Sequence, residues 1–217
     1  MADLKERIAK RCAKELHDGD FVNLGIGLPT LVANYVPEGM TITLHSENGF
    51  SGLAGVPEKG KEDVDITNAG GGYVTAAPQV CYFDSATSFG LVRGKHLDAT
   101  ILGAMQVAQN GDLANWIIPG KMVAGMGGAM DLVCGAKKVI VAMLHTQKGA
   151  HKILSECTLP LTAPKCVSMI ITEMCVINVT DNGLLVTELH KDFTKEDVIN
   201  ATGCPLTFAD DLKEMED

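Results

Sequence analysis

Short apolar runs that end in glycine turns and lead into helices are the feature that most constrains this fold. The first run, residues 21–24, ends in Gly-Ile-Gly-Leu-Pro-Thr at residues 25–30, and a helix is predicted from there to about Tyr35. The same alternation predicts further strands at residues 40–44, 99–104 and 139–144 and a helix over residues 84–93. It therefore predicts an α/β fold, an open and mostly parallel sheet with helices on both faces.

The N-terminal segment is predicted to form an amphipathic helix. Its apolar residues lie four positions apart on an otherwise charged stretch: Leu4, Ile8, Cys12 and Leu16. We expect this helix to end near Asp18, because Gly19 follows where a C-terminal cap glycine belongs.

The C-terminal part of the chain departs from the alternation. Asn182-Gly183 lies between β-rich runs at residues 174–179 and 184–189, a pattern typical of an antiparallel hairpin. Thr194 is predicted to cap a last helix that reaches toward Thr202. Since no repeat or linker divides the sequence, residues 1–217 are predicted to form a single domain.

Composition and charge exclude several classes of protein. The chain of 217 residues has 18 Lys and Arg against 27 Asp and Glu, a net charge of −9, and 46% of its residues are hydrophobic. It can bury a core, so disorder is excluded, and it lacks the basic stripe that nucleic-acid binding needs. The longest apolar runs are far shorter than the ~20 residues that span a bilayer. With a charged N-terminus, these features predict a cytoplasmic protein with no membrane contact.

The cysteines and histidines give no sign of a disulfide framework or a metal site. Seven cysteines include no Cys-x-x-Cys pair, and six histidines show no metal-binding spacing. Five cysteines lie in apolar stretches and are predicted to act as small hydrophobic residues: Cys12, Cys81, Cys134, Cys166 and Cys175.

Three glycine-rich segments look like nucleotide-binding motifs and fail on inspection. Residues 55–62 match a P-loop except at the last position, where Glu62 replaces the hydroxyl residue that would bind Mg²⁺. The segments at residues 25–30 and 125–130 lack the final small residue of the dinucleotide fingerprint. NAD binding is therefore not supported, although the N–H groups of such turns can still bind an anion.

One glutamate, Glu47, stands out by its position. It follows the predicted strand at residues 40–44, in the polar set His-Ser-Glu-Asn-Gly, at the end of the sheet where open α/β folds bind ligands. Taken alone, a solvated loop glutamate is the more common case. The balance changes because Gly127 and Gly128 precede a short predicted helix, where free N–H groups can face a developing oxyanion.

Four motifs in order make the chain resemble the β subunit of family I coenzyme A transferases, nearest to the acetoacetate, butyrate and acetate type. They are the segment at residues 25–30, Ser-Glu-Asn-Gly at 46–49, Leu-Ala-Asn-Trp at 113–116 and the glycine-rich run at 125–132. The resemblance covers nearly the whole chain and weakens at residues 55–65 and after about Thr202. It implies the CoA-transferase, or NagB-like, version of the open α/β fold.

The resemblance also implies that Glu47 is the catalytic nucleophile of a ping-pong exchange. Its carboxylate would first take the acyl group as an anhydride and then hold CoA as a glutamyl thioester. The N–H of Gly128 would stabilise the oxyanions, with Gly127 keeping the turn close. Coenzyme A enters as a substrate, and no permanently bound cofactor or metal is implied.

The other residues that the resemblance implies line the cleft for CoA and substrate: Gly25, Gly27, Asn48, Gly127 and Ala129. Asn48 can orient Glu47 or adopt left-handed turn geometry, and the sequence does not choose between these roles. The implied partner is a homologous α subunit in an α2β2 assembly. The implied substrates are acetoacetyl-, butyryl- or acetyl-CoA and short-chain carboxylates.

Two other functions stay open at this point. A non-catalytic α/β ligand-sensing module would not need the Glu47 site, since fold alone does not fix function. A sugar-phosphate isomerase-like enzyme would need a proton-transferring group beside a phosphate site.

Overall fold

A ten-stranded sheet forms the centre of the protein in the computed structural model, which describes residues 2–123 and 125–216. Its strands in chain order are β1 (Phe21–Leu24), β2 (Thr43–Ser46), β3 (Phe50–Leu53), β4 (Ala76–Tyr82), β5 (Ala99–Leu102), β6 (Lys138–Ala142), β7 (Met169–Ile171), β8 (Cys175–Thr180), β9 (Gly183–Leu189) and β10 (Leu206–Glu214). They lie side by side in the order β10-β9-β8-β7-β6-β5-β1-β2-β3-β4.

The middle of this sheet is parallel and its flanks are largely antiparallel. Strands β7, β6, β5, β1 and β2 run parallel to one another. On one side of this centre, β3 pairs antiparallel with β2, and β4 pairs antiparallel with β3. On the other side, β8 pairs antiparallel with β7, β9 pairs antiparallel with β8, and β10 is parallel to β9. The predicted open, mostly parallel sheet with an antiparallel C-terminal hairpin is confirmed.

Helices cover both faces of the sheet, as predicted. The helices are α1 (Ala2–Ala13), α2 (Ser85–Arg93), α3 (Ala129–Gly135) and α4 (Lys195–Ala201), and a 3₁₀ helix spans Leu28–Tyr35. Because successive strand residues face opposite sides, Val141 packs in the same core cluster as Val198 of α4. Its neighbour Ile140 packs in the cluster that contains Ile8 of α1.

Helix α1 ends at Ala13, so the predicted end near Asp18 is wrong. Beyond Ala13 the chain forms a tight turn in which the Leu16 N–H donates to the Ala13 carbonyl at 3.2 Å. The Gly19 N–H donates to the Thr41 carbonyl at 2.7 Å rather than to a helix carbonyl. Residues after the helix are therefore held by the segment that leads into β2, and Leu16 stays buried.

The helix predicted up to Tyr35 is present, but it is a 3₁₀ helix. Pro29 at its start has no N–H to donate. The Thr30 N–H and hydroxyl both donate to the Gly27 carbonyl, at 3.2 Å and 2.7 Å, which closes a three-residue turn. This tighter winding places the segment directly after β1 beside the sheet.

The predicted start of α4 is confirmed in atomic detail. The Asp197 N–H donates to the Thr194 hydroxyl at 3.1 Å, and the Thr194 N–H donates to the Asp197 carboxylate at 2.8 Å. The two bonds form a capping box.

Two of the five cysteines predicted to act as small hydrophobic residues are instead exposed. Cys81 lies on the edge strand β4, which has no neighbour on its outer side, and Cys134 lies on the outward side of α3. Cys12 and Cys175 are buried and Cys166 is partly buried. The prediction fails at Cys81 because an apolar run does not reveal that its strand lies at an edge.

Shorter strands join the loops that follow β5 and β6. They pair as Gln106–Ala108 with Leu113–Ala114 and Ile153–Leu154, Ile117–Ile118 with Met122–Val123, and Thr146–Gln147 with Ala150–His151. Over the described ranges, no helix is both long and apolar enough to cross a membrane. The assignment of residues 1–217 to a single domain stays a prediction.

Gly135→Ala is expected to lower the free energy of unfolding by about 2–3 kcal/mol. A Cβ at Gly135 would lie 2.2 Å from the Val92 carbonyl oxygen, so α3 and α2 must separate to admit it. Chemical denaturation measures the loss. Gly90→Ala on α2 is the control, because a Cβ there meets no atom within 4 Å and Ala favours the helix by about 0.5–1 kcal/mol. Equal stabilities of the two variants would contradict this packing argument.

Candidate active site

The candidate site lies at the point in the sheet where successive parallel strands continue on opposite sides of β1. Strand β2 lies on one side of β1, whereas β5, β6 and β7 continue on the other side. Ligands of open α/β sheets bind at such a switch point, outside the carboxyl ends of the strands. A cavity of about 1000 Å³ opens there, lined by residues that follow β1, β2 and β5 and by the segment that leads into α3.

Glu47 follows the last residue of β2 and lines this cavity. Its side chain is half-buried, and its Oε2 accepts a hydrogen bond from the Asn23 side-chain amide at 3.1 Å. Asn23 belongs to the neighbouring parallel strand β1. The register that pairs Asn23 with His45 therefore holds the carboxylate at the cavity wall.

Gly128 lies directly beside Glu47. A Cβ built on Gly128 would be 3.1 Å from Glu47 Cγ and 3.2 Å from the Phe89 ring, so only a glycine leaves room for the glutamate as placed. Gly128 is the buried N-cap of α3. Its N–H has no hydrogen-bond acceptor within residues 2–123 and 125–216. A buried, unused donor beside a carboxylate is an arrangement that can stabilise an oxyanion.

The other glycine-run residues also line the cavity. Gly127 is exposed and has φ 48°, a left-handed turn conformation that suits glycine. Ala129 lines the cavity as well, but its N–H already donates to the Met126 carbonyl at 3.0 Å. The N–H of Ala129 is therefore already used, whereas that of the buried Gly128 is not.

The two glycines after β1 also line the cavity. Gly25 packs against β5, where its N–H donates to the Ile101 carbonyl at 2.8 Å and a Cβ would lie 2.7 Å from Leu102 Cδ2. Gly27 has φ 87° and starts the 3₁₀ helix. Both line the cavity, so a ligand there can approach the backbone closely.

Asn48 lies outside the cavity lining and does not bond Glu47. Its Oδ1 accepts from the Ser46 hydroxyl at 2.6 Å, and its Nδ2 donates to the Thr67 carbonyl at 2.7 Å. Its φ is not positive and its side chain does not bond Glu47, so the structure shows neither of the two roles that the sequence left open. Asn48 instead fastens the loop at residues 67–72, whose Ala69 N–H donates to the Ser46 hydroxyl.

The motif at residues 113–116 contributes one residue to the cavity, Asn115. Its Nδ2 donates to the Gly103 carbonyl at 3.2 Å, and its Oδ1 accepts from the Thr162 hydroxyl at 2.6 Å. The neighbouring Trp116 donates its indole N–H to the Leu161 carbonyl. All four sequence motifs thus reach the same cavity.

Three buried polar residues near Glu47 are given no role by the sequence pattern: Asn23, His45 and Ser88. The Nε2 of His45 lies 3.0 Å from the Ser88 hydroxyl of α2. Burial between the rings of Phe21 and Phe83 lowers the pKa of His45 to about 4, so this histidine is neutral at pH 7. The sequence contains one signal that could have indicated a role for Asn23, namely a side-chain amide in the middle of the apolar strand Phe-Val-Asn-Leu.

Lowering the pH from 7 to 5 is expected to cost about 2 kcal/mol of stability for each of two buried histidines. Burial lowers the pKa of both His45 and His145 from 6.5 to about 4. Between pH 6.5 and pH 4 these histidines bind more protons in the unfolded chain than in the folded protein. The free energy of unfolding is therefore highest above pH 6.5 and decreases as the pH falls toward 4. Urea unfolding at both pH values measures this. His145→Gln should remove about half of the pH dependence that the two histidines cause. An equal pH dependence of the free energy of unfolding in the wild type and in His145→Gln would contradict the lowered pKa of His145.

The described residues contain no group of three or more His, Cys, Asp or Glu side chains placed to hold a metal ion. In the cavity lining, Glu47 supplies a carboxylate, and the neighbouring Gly128 supplies a backbone N–H that has no acceptor among the described residues.

Comparison with known proteins connects this geometry to a family. Residues 5–201 match the family model described as Coenzyme A transferase. The β subunit of acetate CoA-transferase from Escherichia coli (strain K12) is 56% identical over 86% of this chain and 86% of its own length. The protein of the same name from Haemophilus influenzae is 52% identical over 98% of this chain and 95% of its own. The B subunit of a probable succinyl-CoA:3-ketoacid coenzyme A transferase from Bacillus subtilis is 49% identical, over 93% and 94%.

Solved structures share the fold at low sequence identity. An acyl-CoA transferase apoenzyme from Escherichia coli O157:H7 superposes with a TM-score of 0.79 at 19% identity, covering 98% of this chain. This chain spans only 43% of that longer chain. The glutaconate coenzyme A-transferase of Acidaminococcus fermentans has a TM-score of 0.73 at 18% identity and covers 98% of this chain and 88% of its own. The resemblance drawn from the four motifs is confirmed.

Proposed function

Because the chain belongs to the coenzyme A transferase family, we propose that it is the catalytic β subunit of an enzyme that moves CoA from a short-chain acyl-CoA to a carboxylate. The observation that carries this proposal is the placement of Glu47 in a cavity at the switch point, in contact with Gly128. A sensor or an isomerase does not need a cavity carboxylate next to an unused backbone donor.

The first half of the reaction transfers the acyl group and then CoA to Glu47. A carboxylate oxygen attacks the thioester carbonyl, the carbon–sulfur bond breaks, and an acyl-glutamyl anhydride and CoA thiolate form. The thiolate attacks the glutamyl carbonyl, and the first acid leaves as its carboxylate. Glu47 is left as a thioester of CoA. An incoming carboxylate then reverses these steps and departs as the new acyl-CoA.

The residue types suit this exchange. A glutamyl thioester is comparable in energy to the substrate thioester, so both halves stay reversible. Each tetrahedral step places charge on a carbonyl oxygen, and one donor such as the Gly128 N–H typically lowers the barrier by about 2.7–4 kcal/mol. Binding of the distant parts of CoA can supply further energy for the reacting centre.

A second protein chain would complete the site. The mouth of the cavity carries exposed apolar side chains, Ile26 at 74%, Val56 at 85% and Met126 at 40% exposure. Such residues favour burial against another protein, and an anhydride or thioester must be shielded from water. The similar relatives are named as β or B subunits. We propose a homologous α subunit as the partner, in an α2β2 assembly in the cytoplasm.

The proposed substrates are acetoacetyl-, butyryl- or acetyl-CoA with short-chain carboxylates as acceptors. Coenzyme A takes part as a substrate, and the mechanism needs no resident cofactor. Relatives named for acetate and for succinyl-CoA and 3-ketoacids are similarly close to this chain. One methylene changes selectivity by only about 1–3 kcal/mol, so a panel of acids assayed with the assembled enzyme would define the pair.

Chemical trapping tests the mechanism. The assembled enzyme is incubated with acetoacetyl-CoA and treated with borohydride, which reduces a glutamyl thioester to an alcohol. We expect the modification on the peptide that contains Glu47, and none without acyl-CoA or after addition of excess acetate. Full turnover with Glu47 unmodified would refute the glutamyl-CoA route, and acyl-CoA binding without turnover would favour the sensor.

A further inference from the structure

A chain of buried polar groups connects Glu47 to helix α2. Asn23 Nδ2 donates to Glu47 Oε2 at 3.1 Å, and it also lies 3.3 Å from the His45 carbonyl oxygen and 3.5 Å from His45 Nδ1. His45 Nε2 lies 3.0 Å from the Ser88 hydroxyl. Asn23 is 1% exposed, His45 3% and Ser88 0%. Water is therefore excluded from the bonds among these three residues.

The partners of Asn23 determine which way its amide faces. The Glu47 carboxylate and the His45 carbonyl only accept hydrogen bonds, so both require the NH₂ group of the amide. The opposite atom, Asn23 Oδ1, accepts from the Thr100 hydroxyl at 3.4 Å. A flipped amide would bring its oxygen against the carboxylate and leave a buried carbonyl unpaired.

His45 supports this orientation when it is neutral with its proton on Nε2. The Nε2–H then donates to Ser88, and Nδ1 is left as an acceptor that faces Asn23 Nδ2. A proton on Nδ1 would instead place two donors face to face. The amide nitrogen of Asn23 can only donate, so it favours this tautomer, and the Ser88 hydroxyl, which can donate or accept, then accepts from Nε2.

We propose that Asn23 is a positioning residue for the nucleophile, that His45 fixes the direction in which its amide donates, and that Ser88 holds the His45 ring in place. The proposal rests on the function proposed above. One carboxylate oxygen of Glu47 is held by the amide, which leaves Oε1 to attack and keeps the carboxyl group beside Gly128. Helix α2 contributes to the geometry twice, since Ser88 ends the chain of bonds and Phe89 borders Gly128.

Kinetics of three variants in the assembled enzyme test this proposal. Asn23→Ala removes the donor, and Asn23→Asp keeps the volume but cannot donate. Both should lower kcat by about 10²-fold while KM for acyl-CoA changes by less than about threefold, because a misplaced nucleophile slows chemistry rather than binding. Ser88→Ala should lower kcat by about 5–10-fold, because the amide keeps its partners but loses its support.

His145→Gln is the matched control. His145 is another fully buried neutral histidine, bonded to Thr172 and Thr202 hydroxyls at 3.0 Å and 2.9 Å, and it is not among the cavity-lining residues. Its kcat should match the wild type. If both Asn23 variants keep kcat within threefold of the wild type, or if His145→Gln loses as much, the positioning role is overturned.

The trapping reaction separates this inference from the function on which it rests. The wild type should form the borohydride-reducible adduct at Glu47 rapidly, and Asn23→Ala should form the same adduct about 10²-fold more slowly. If the wild type forms no adduct, the proposed function fails. If the wild type forms it and Asn23→Ala forms it equally fast, only the positioning role fails.

Discussion

Glu47→Gln is expected to lower the rate of CoA transfer by at least about 10⁴-fold, the largest effect of any single substitution in this chain. The amide has the size of the carboxylate but cannot attack a thioester or form the anhydride. Asn23 and Gly128 would still face a side chain of the same shape, so the fold should be unchanged. The measurement is the initial rate of transfer from acetoacetyl-CoA to acetate by the assembled enzyme, with urea unfolding as the check on stability.

Two further variants sharpen this result. Glu47→Asp keeps the nucleophile but withdraws it by one methylene from Gly128, so we expect an intermediate loss of about 10²-fold. Glu58→Gln is the control for charge, because Glu58 is an exposed residue paired with Lys61, and it should transfer CoA at the wild-type rate. Turnover by Glu47→Gln within tenfold of the wild type would show that another group carries the acyl and CoA intermediates.

The parallel centre of the sheet could be predicted where its strands are mostly apolar, as in β5, β6 and β7. Strand β2, Thr-Leu-His-Ser, is mostly polar, and it begins three residues after the start of the run predicted at residues 40–44. Residues 99–102 and 139–142 are buried on both faces, and such runs indicate strands without further context. Strands β3, β4 and β10 could not be predicted in this way. Half of β4 is exposed, and its sequence, with Pro78 near the middle, carries no alternation that distinguishes an edge strand from a loop.

Some residues of the site could likewise be predicted from the sequence, and others could not. Glu47 and Gly128 stand at positions that the local sequence marks, one after a strand and one before a helix, and the motif resemblance assigns their roles. Asn23, His45 and Ser88 come from β1, β2 and α2, and they meet only because parallel pairing and the packing of α2 bring them together. The contact between His45 and Ser88, 43 positions apart, leaves no local pattern in one sequence.

Asn48 shows that a neighbour in sequence need not be a neighbour in the site. Its place beside Glu47 in the sequence favours a role toward that residue, yet a strand end turns successive side chains in different directions. The Asn48 side chain points to Ser46 and the Thr67 carbonyl and holds a loop at the cavity rim. Adjacency in sequence therefore does not show which side chain of a loop points toward Glu47.

Gly128→Ala is the second large effect that we expect, a fall in kcat of about 10²-fold with a small change in stability. The backbone of Gly128 has φ −83° and ψ 1°, a bridge-region conformation that is open to alanine because φ is negative. The N–H is kept, so the substitution does not remove the oxyanion donor. Its effect comes from the new Cβ, which would lie 3.1 Å from Glu47 Cγ and 3.2 Å from Phe89 Cε1.

The added Cβ requires either Glu47 or Phe89 to move, and the side chain of Glu47 can move more easily. Phe89 belongs to α2, which packs against α3, whereas Glu47 is half-buried at an open cavity. The carboxylate should therefore shift away from the Gly128 N–H and from Asn23. The kinetics of the assembled enzyme measure this, with Gly90→Ala on α2 as the control that adds the same methyl group in open space.

The double variant Gly128→Ala with Glu47→Asp tests whether the effect of the added methyl group depends on its contact with Glu47. The shorter side chain withdraws from the added methyl group, so the two losses should combine to less than their product, as coupled neighbours do. Strict multiplication of the two effects would mean that Gly128 acts on the reaction without touching Glu47. Wild-type kcat in Gly128→Ala would mean that the close approach of the two residues has no part in catalysis.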